Sequence, residues 1–140
     1  MKTVVISKNF EIVNIPFGDG TAFTAKANVK QDNLFACLKL IQANEKQALA
    51  IRELTDEAEA ERQTAELMSE LVIQLFGKQK YSELVETIGG EGASPVDVNF
   101  SMAVLWVELV EFVKERVMRF ANTKAAHYLV ESLGNGQADQ

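Results

Sequence analysis

Residues 94–121 have the sequence SPVDVNFSMAVLWVELVEFVKERVMRFA, which predicts one capped and deeply apolar helix. Ser94 can cap its first turn, Pro95 suits the first helical position, and Asp97 complements the positive end of the helix dipole. Two apolar stripes then run side by side at helical spacing. The first stripe contains Val98, Met102, Leu105, Leu109 and Phe112, and the second stripe contains Trp106, Val110, Val113, Val117 and Phe120. A helix this apolar needs partners on more than one side, because packing rather than intrinsic propensity stabilises most helices.

The amino-terminal part alternates with the period of a β-strand. Thr21, Phe23, Ala25, Ala27 and Val29 share one face over residues 21–29, so we expect a half-buried strand there. Residues 10–17 form a plausible partner strand, and Gly18-Asp19-Gly20 supplies residues that tolerate a tight hairpin loop. Residues 3–6 can add a third short strand.

From Asp32 onwards the apolar period changes from two to about 3.6, which predicts helices. The first helix carries Leu34, Cys37, Leu38 and Ile41 on one face, and a break is expected near residues 54–57. A second helix then runs to Phe76 and stops at Gly77, and a third covers residues 81–88 before Gly89-Gly90.

These elements predict an α+β fold that is mostly α: a short amino-terminal β-hairpin of two or three strands, then a bundle of about four helices with the long apolar helix last. A length of 140 residues suits one domain. We expect that domain over residues 1–133, with the hairpin in 1–30, the helical body in 32–121 and a weak helix in 125–133. Residues 134–140 are expected to be a disordered tail.

Composition restricts the class of protein. Fourteen basic and twenty acidic residues give a net charge of −6, which argues against nucleic-acid binding. The single cysteine, Cys37, can form no internal disulfide and is expected to be a small buried side chain. No apolar run is long enough for a membrane span or for a signal-peptide core, so we expect a cytoplasmic protein.

No motif for catalysis, cofactor binding or metal binding stands out. One histidine, His127, excludes a two-histidine zinc site, and no recognisable turn places a nucleophile beside it. Asp97, Asn99, Ser101 and Glu108 match positions of a calcium loop, but Met102 stands where the sharp turn requires glycine. The cations Lys114, Arg116, Arg119 and Lys124 are explained by the negative end of the helix dipole. We therefore predict a non-enzymatic protein without a cofactor.

Paired glutamates leave an enzymatic alternative open. Glu83 and Glu86, and again Glu108 and Glu111, stand three residues apart in Glu-Leu-Val-Glu. This spacing resembles the acidic motifs with which all-helical nucleotide pyrophosphohydrolases hold magnesium. That family's second motif ends in aspartate, whereas here it ends in Glu111. All four carboxylates also lie opposite apolar residues, so we expect them to face solvent.

The layout of the chain is similar to that of the small tail assembly chaperones of long-tailed bacteriophages and prophages. A hairpin over residues 10–29 precedes an acidic helical body over residues 32–121 and a polar end. The resemblance implies a non-enzymatic protein that keeps a tape measure protein soluble and is displaced as tail-tube subunits polymerise. Genes of this family often produce a shorter and a longer form of the protein, and the resemblance implies that this chain is the shorter form.

The oversized apolar helix and the open hairpin together indicate an association module. We expect Trp106, Val110, Val113 and Val117 to contact the protein partner, and Phe23 with its strand to support homo-oligomerisation. For each of these residues the alternative is a place in the core of the protomer. A third class remains open, a small acidic regulatory protein that covers a cationic surface.

Overall fold

Four α-helices follow a two-stranded hairpin in the computed structural model, which describes residues 8–122. The predicted α+β, mostly helical fold class is confirmed. The strands are β1 (Phe10–Pro16) and β2 (Ala22–Asn28), and the helices are α1 (Gln31–Arg52), α2 (Glu57–Phe76), α3 (Lys78–Gly89) and α4 (Asn99–Met118). The predicted strand at residues 3–6, the weak helix at 125–133, the tail at 134–140, and the side chains of Lys124 and His127 lie outside the described residues.

The hairpin has the alternation that its sequence predicts. Its strands are antiparallel, with Val13 opposite Ala25 and Ile15 opposite Phe23. Ala25 and Ala27 are buried, because the inner face of the sheet packs on the helices. Residues 17–21 connect the strands, where Gly20 adopts a φ of 89° that glycine favours. The Asp19 carboxylate accepts hydrogen bonds from the Thr21 amide at 2.9 Å and hydroxyl at 2.6 Å, which stabilises this turn.

The first three helices are separated by two interruptions, one between α1 and α2 and one between α2 and α3. Asp56 caps α2, with its carboxylate accepting from the amides of Ala58 at 3.0 Å and Glu59 at 3.3 Å. The predicted break before Glu57 is therefore confirmed. Gly77, with a φ of 93°, ends α2 and lets α3 begin at the next residue, three residues before the predicted start.

Residues 94–121 do not form one continuous α-helix. Pro95–Val98 is a 3-10 turn, α4 covers only Asn99–Met118, and a second 3-10 turn occupies Arg119–Asn122. The reason lies in the capping, because the Asp97 carboxylate accepts from the Ser94 amide at 2.8 Å and holds a tight turn before the α-helix starts. At 20 residues, α4 is also shorter than α1, which has 22.

The hydrophobic core lies where α1, α2 and α4 meet, with β2 and α3 covering its remaining sides. Both predicted stripes of α4 contribute to this core. Cys37 is fully buried as predicted, and burial raises the pKa of its thiol to about 12. The core also contains one polar side chain, that of Asn44, among the residues described. Its amide nitrogen donates to the Leu67 carbonyl at 3.4 Å, which links α1 to α2.

Candidate binding groove

A groove of about 790 Å³ separates β1 from α4. Strand β2 contacts α2 and α3, and β1 forms one wall of the groove. The other wall is the outer side of α4. The groove as a whole is lined by Val13, Asn14, Ile15, Pro16, Phe17, Gly18, Ile88, Phe100, Ser101, Val104, Leu105, Glu108, Leu109, Glu111, Phe112, Glu115 and Arg116.

Apolar side chains dominate both walls of the groove. Val13 and Ile15 approach from the inner face of β1, where they are only partly buried by the core. On α4, Phe100 is 85% exposed and Val104 is 58% exposed. Large apolar side chains this exposed on one wall of a concave surface are typical of an interaction site.

The groove has an acidic rim, formed by Glu108, Glu111 and Glu115 on successive turns of α4. Within the described part of the chain, neither Glu108 nor Glu111 forms an ion pair. The cation on this wall is Arg116, and its charge is already balanced by two carboxylates, those of Glu11 and Glu115. The rim therefore presents unbalanced negative charge beside apolar surface.

An ion pair between β1 and α4 closes one end of the groove. The Arg116 guanidinium donates from Nε to Glu11 Oε2 at 2.9 Å and from Nη2 to Glu11 Oε1 at 2.7 Å. These hydrogen bonds hold the pKa of Glu11 below its usual value, although partial burial opposes the shift. The same guanidinium lies 4.1 Å from the centre of the Phe112 ring. Arg116 thus fixes the spacing of the two walls at this end.

The residues predicted to contact a partner occupy different places from the groove. Val110, Val113 and Val117 are buried in the core, because this stripe of α4 packs against the other helices. Trp106 is half-buried, and its indole nitrogen is buried without a hydrogen-bond partner in the described part of the chain. Phe23 packs on the core with the Lys80 ammonium 5.9 Å from its ring centre. Val110, Val113 and Val117 therefore belong to the core of the protomer, and other residues form the exposed apolar surface of α4.

A third set of apolar residues on α4 was not predicted from the sequence. Phe100, Val104 and Val107 are exposed and stand at spacings of four and three, the same helical period that marks the two buried stripes. An apolar helix with three stripes and only two buried sides must leave one stripe outside. The spacing was thus a usable signal, but the sequence could not say which stripe would remain exposed.

The paired glutamates do not converge in the structure. Glu83 forms a surface ion pair with Lys80 at 3.0 Å, and Glu86, Glu108 and Glu111 are exposed. Within residues 8–122, no three acidic, cysteine or histidine side chains form a group that could hold a metal ion. In the calcium-like pattern, Asp97 caps the turn before α4, and the side-chain amide of Asn99 donates to the Glu61 carbonyl at 3.0 Å.

Comparison of the chain with protein family models, curated proteins and solved structures gave no match. None of the helices in the described residues has both the length and the apolar character that crossing a bilayer requires. The groove itself therefore provides the basis for a functional hypothesis.

Proposed function

We propose that the protein is a bacteriophage or prophage tail assembly chaperone, active in the host cytoplasm, that binds a tape measure protein and keeps it soluble. The observation that carries this proposal is the groove between β1 and α4, with Phe100 and Val104 exposed on its wall. A chaperone of this kind needs an accessible apolar surface on a folded body, and the groove provides one.

The lining of the groove suits binding rather than catalysis. Three of its six polar side chains are carboxylates on one helix face, and the rest of its lining is mostly aliphatic and aromatic. Nucleophilic or acid–base chemistry needs polar groups that converge on one reacting atom. Apolar walls with a charged rim are instead the arrangement by which grooves bind amphipathic helices.

The charge of the rim defines the partner segment more closely. An amphipathic helix with lysine or arginine along one flank would place its apolar face on Phe100 and Val104. Its cations would then approach Glu108 and Glu111. Long, largely helical tape measure proteins can provide such segments, and displacement by tail-tube subunits would release them.

Co-expression with the tape measure protein of the same genome tests this function. Val104→Asp places a charge in the apolar wall and should reduce the soluble yield of the tape measure protein several-fold. Leu49→Asp is the matched control, because Leu49 is 61% exposed on α1 but lies outside the groove. The control should keep the wild-type yield.

Either of two results would contradict the proposal. If the wild-type protein leaves the tape measure protein insoluble on co-expression, the proposed chaperone function is wrong. Equal loss of soluble partner with Val104→Asp and Leu49→Asp would show that the groove is not the binding surface, since both changes put a carboxylate on an exposed helix face.

One feature favours a second candidate, an acidic regulator that covers a cationic protein surface. The rim of Glu108, Glu111 and Glu115 could serve such a role without the apolar wall. Electrostatic binding weakens strongly with salt, whereas apolar binding does not. Loss of the complex in high salt, together with full tolerance of Val104→Asp, would support the regulator over the chaperone.

A further inference from the structure

The hydrogen bonds at the two ends of the hairpin define which edge of β1 is open. The Phe17 amide donates to the Thr21 carbonyl at 2.8 Å, and the Val29 amide donates to the Asn9 carbonyl at 2.8 Å. Bonded pairs alternate along an antiparallel ladder, so odd-numbered residues of β1 bond to β2. The even-numbered residues Phe10, Ile12 and Asn14 therefore direct their amides and carbonyls away from β2. Within residues 8–122, no strand pairs with this edge.

The two outer edges of the hairpin differ in chemistry. Ile12 and Lys26 are cross-strand partners, and so are Asn14 and Thr24. The edge of β2 carries Lys26, a charged side chain of the kind that prevents strand addition. The edge of β1 carries Ile12, which is 72% exposed, beside the exposed ring of Phe10. An open, apolar edge of this kind is a template for another strand.

We propose that β1 pairs antiparallel with β1 of a second copy of this chain, about a twofold axis at Ile12. The pairing would join two hairpins into a four-stranded sheet. Ile12 would lie opposite its own counterpart, and Phe10 of each copy would lie opposite Asn14 of the other. Each of these pairs exchanges two backbone hydrogen bonds, because all three residues have unused amides and carbonyls.

The sequence of β1 is self-complementary in this register. Glu11 would lie opposite Val13 of the other copy, so no like charges face each other across the axis. Ile12 would contact Ile12 of the other copy, which covers part of the most exposed large apolar side chain of the strand. Pro16 has no amide to donate, so the ladder would end before it. A ladder this short predicts reversible dimerisation that depends on concentration.

The proposed dimer has a consequence for the groove. A twofold axis between antiparallel strands is perpendicular to the sheet, so both helical bodies would lie on the same side of it. The groove lies beneath β1 in each copy, and the two grooves would therefore meet under the paired strands. The dimer would offer one longer apolar surface. The proposed dimer does not depend on whether that surface binds a tape measure protein.

Sedimentation velocity of the full chain over a range of concentrations tests the dimer directly. We expect a monomer–dimer equilibrium that Asn14→Pro weakens by about tenfold or more, because two donors across the axis are lost. Thr24→Pro is the matched control at the same level of the hairpin. It removes an amide from the edge of β2 and should leave the equilibrium unchanged. Circular dichroism verifies that both variants are folded.

A cysteine variant tests the register without proline. Residues opposite each other in a bonded antiparallel pair have Cα atoms about 5.5 Å apart, which a disulfide can span. Ile12→Cys should therefore give a disulfide-linked dimer on mild oxidation, and Thr24→Cys should not. The native Cys37 is buried and should not compete.

Three results would overturn the proposal. The first is a full chain that stays monomeric at all concentrations. The second is equal weakening of a dimer by Asn14→Pro and Thr24→Pro. The third is equal cross-linking of Ile12→Cys and Thr24→Cys.

Discussion

Glu11 on β1 and Arg116 on α4 are 105 residues apart in the chain and form a two-point ion pair, with N–O distances of 2.9 and 2.7 Å. This pair joins β1 to α4 at the closed end of the groove. Arg116 is only 16% exposed, so its attraction to Glu11 is less screened than that of a fully exposed pair. The shape of the groove therefore depends on an interaction between its two walls.

Removing this pair should destabilise the hairpin. We expect Glu11→Gln and Arg116→Met each to lower the free energy of unfolding by about 1 kcal/mol in urea denaturation, with coupling between them in the double variant. Glu115→Gln is the control, because Glu115 also contacts Arg116 but is well exposed. It should change stability by less than about 0.5 kcal/mol. Additive effects of the first two substitutions would contradict a direct interaction.

The same pair predicts a dependence of stability on pH. The pKa of Glu11 is lower in the folded protein than its ordinary value of 4.5, mainly through the hydrogen bonds from Arg116. Its contribution is therefore fully present above that ordinary value and is lost as the pH falls through the lowered pKa. The stability difference between wild type and Glu11→Gln should be constant near neutral pH and shrink in acid. A difference that grows in acid would have the wrong sign.

Close packing at the end of α3 makes Gly89 sensitive to substitution. A Cβ atom at Gly89 would lie 2.6 Å from the Ala93 Cβ and 2.8 Å from Val98 Cγ1. Gly89→Ala should therefore cost about 1–3 kcal/mol of unfolding free energy in a thermal or urea melt. Gly18→Ala is the matched control, because nothing lies within 4 Å of its Cβ position. Equal stability of the two variants would show that the connection before α4 is loosely packed.

The buried side chain of Asn44 should lower the free energy of unfolding. Its oxygen has no hydrogen-bond partner in the described part of the chain, and its amide makes one long bond to the Leu67 carbonyl. Asn44→Leu keeps the number and branching of the side-chain heavy atoms and removes the unpaired oxygen, so we expect a gain of about 1 kcal/mol in unfolding free energy. A loss of similar size would show that the bond between α1 and α2 outweighs the unpaired oxygen.

The sequence predicted those features that depend on local pattern. Alternation placed Ala25 and Ala27 on the inner face of β2, and Gly77 marked the end of α2. The predicted break near residues 54–57 lies where Asp56 caps the start of α2. Each of these features depends on residues a few positions apart, which is the range over which side-chain period and capping act.

Features that depend on tertiary arrangement were not predicted. The charge of Arg116 is explained locally by the helix dipole, yet its partner Glu11 lies on β1. Two apolar stripes on α4 were predicted from the sequence and the third was missed, and the packing of α1 and α2 decides that Val113 is buried and Val104 exposed. The groove depends on the ion pair between Glu11 and Arg116 and on which stripe of α4 stays exposed. It could therefore not be located from periodicity alone.

Methyl NMR of the isoleucine- and valine-labelled protein, titrated with the tape measure protein of the same genome, tests whether the groove between β1 and α4 is the binding surface. We expect the methyl signals of Val13, Ile15 and Val104, which line the groove, to shift or broaden on binding. The signals of Ile51, which lies near the carboxyl end of α1 and outside the groove lining, should remain unchanged. Binding that perturbs Ile51 and leaves Val13, Ile15 and Val104 unaffected would contradict the assignment of the groove as the binding surface.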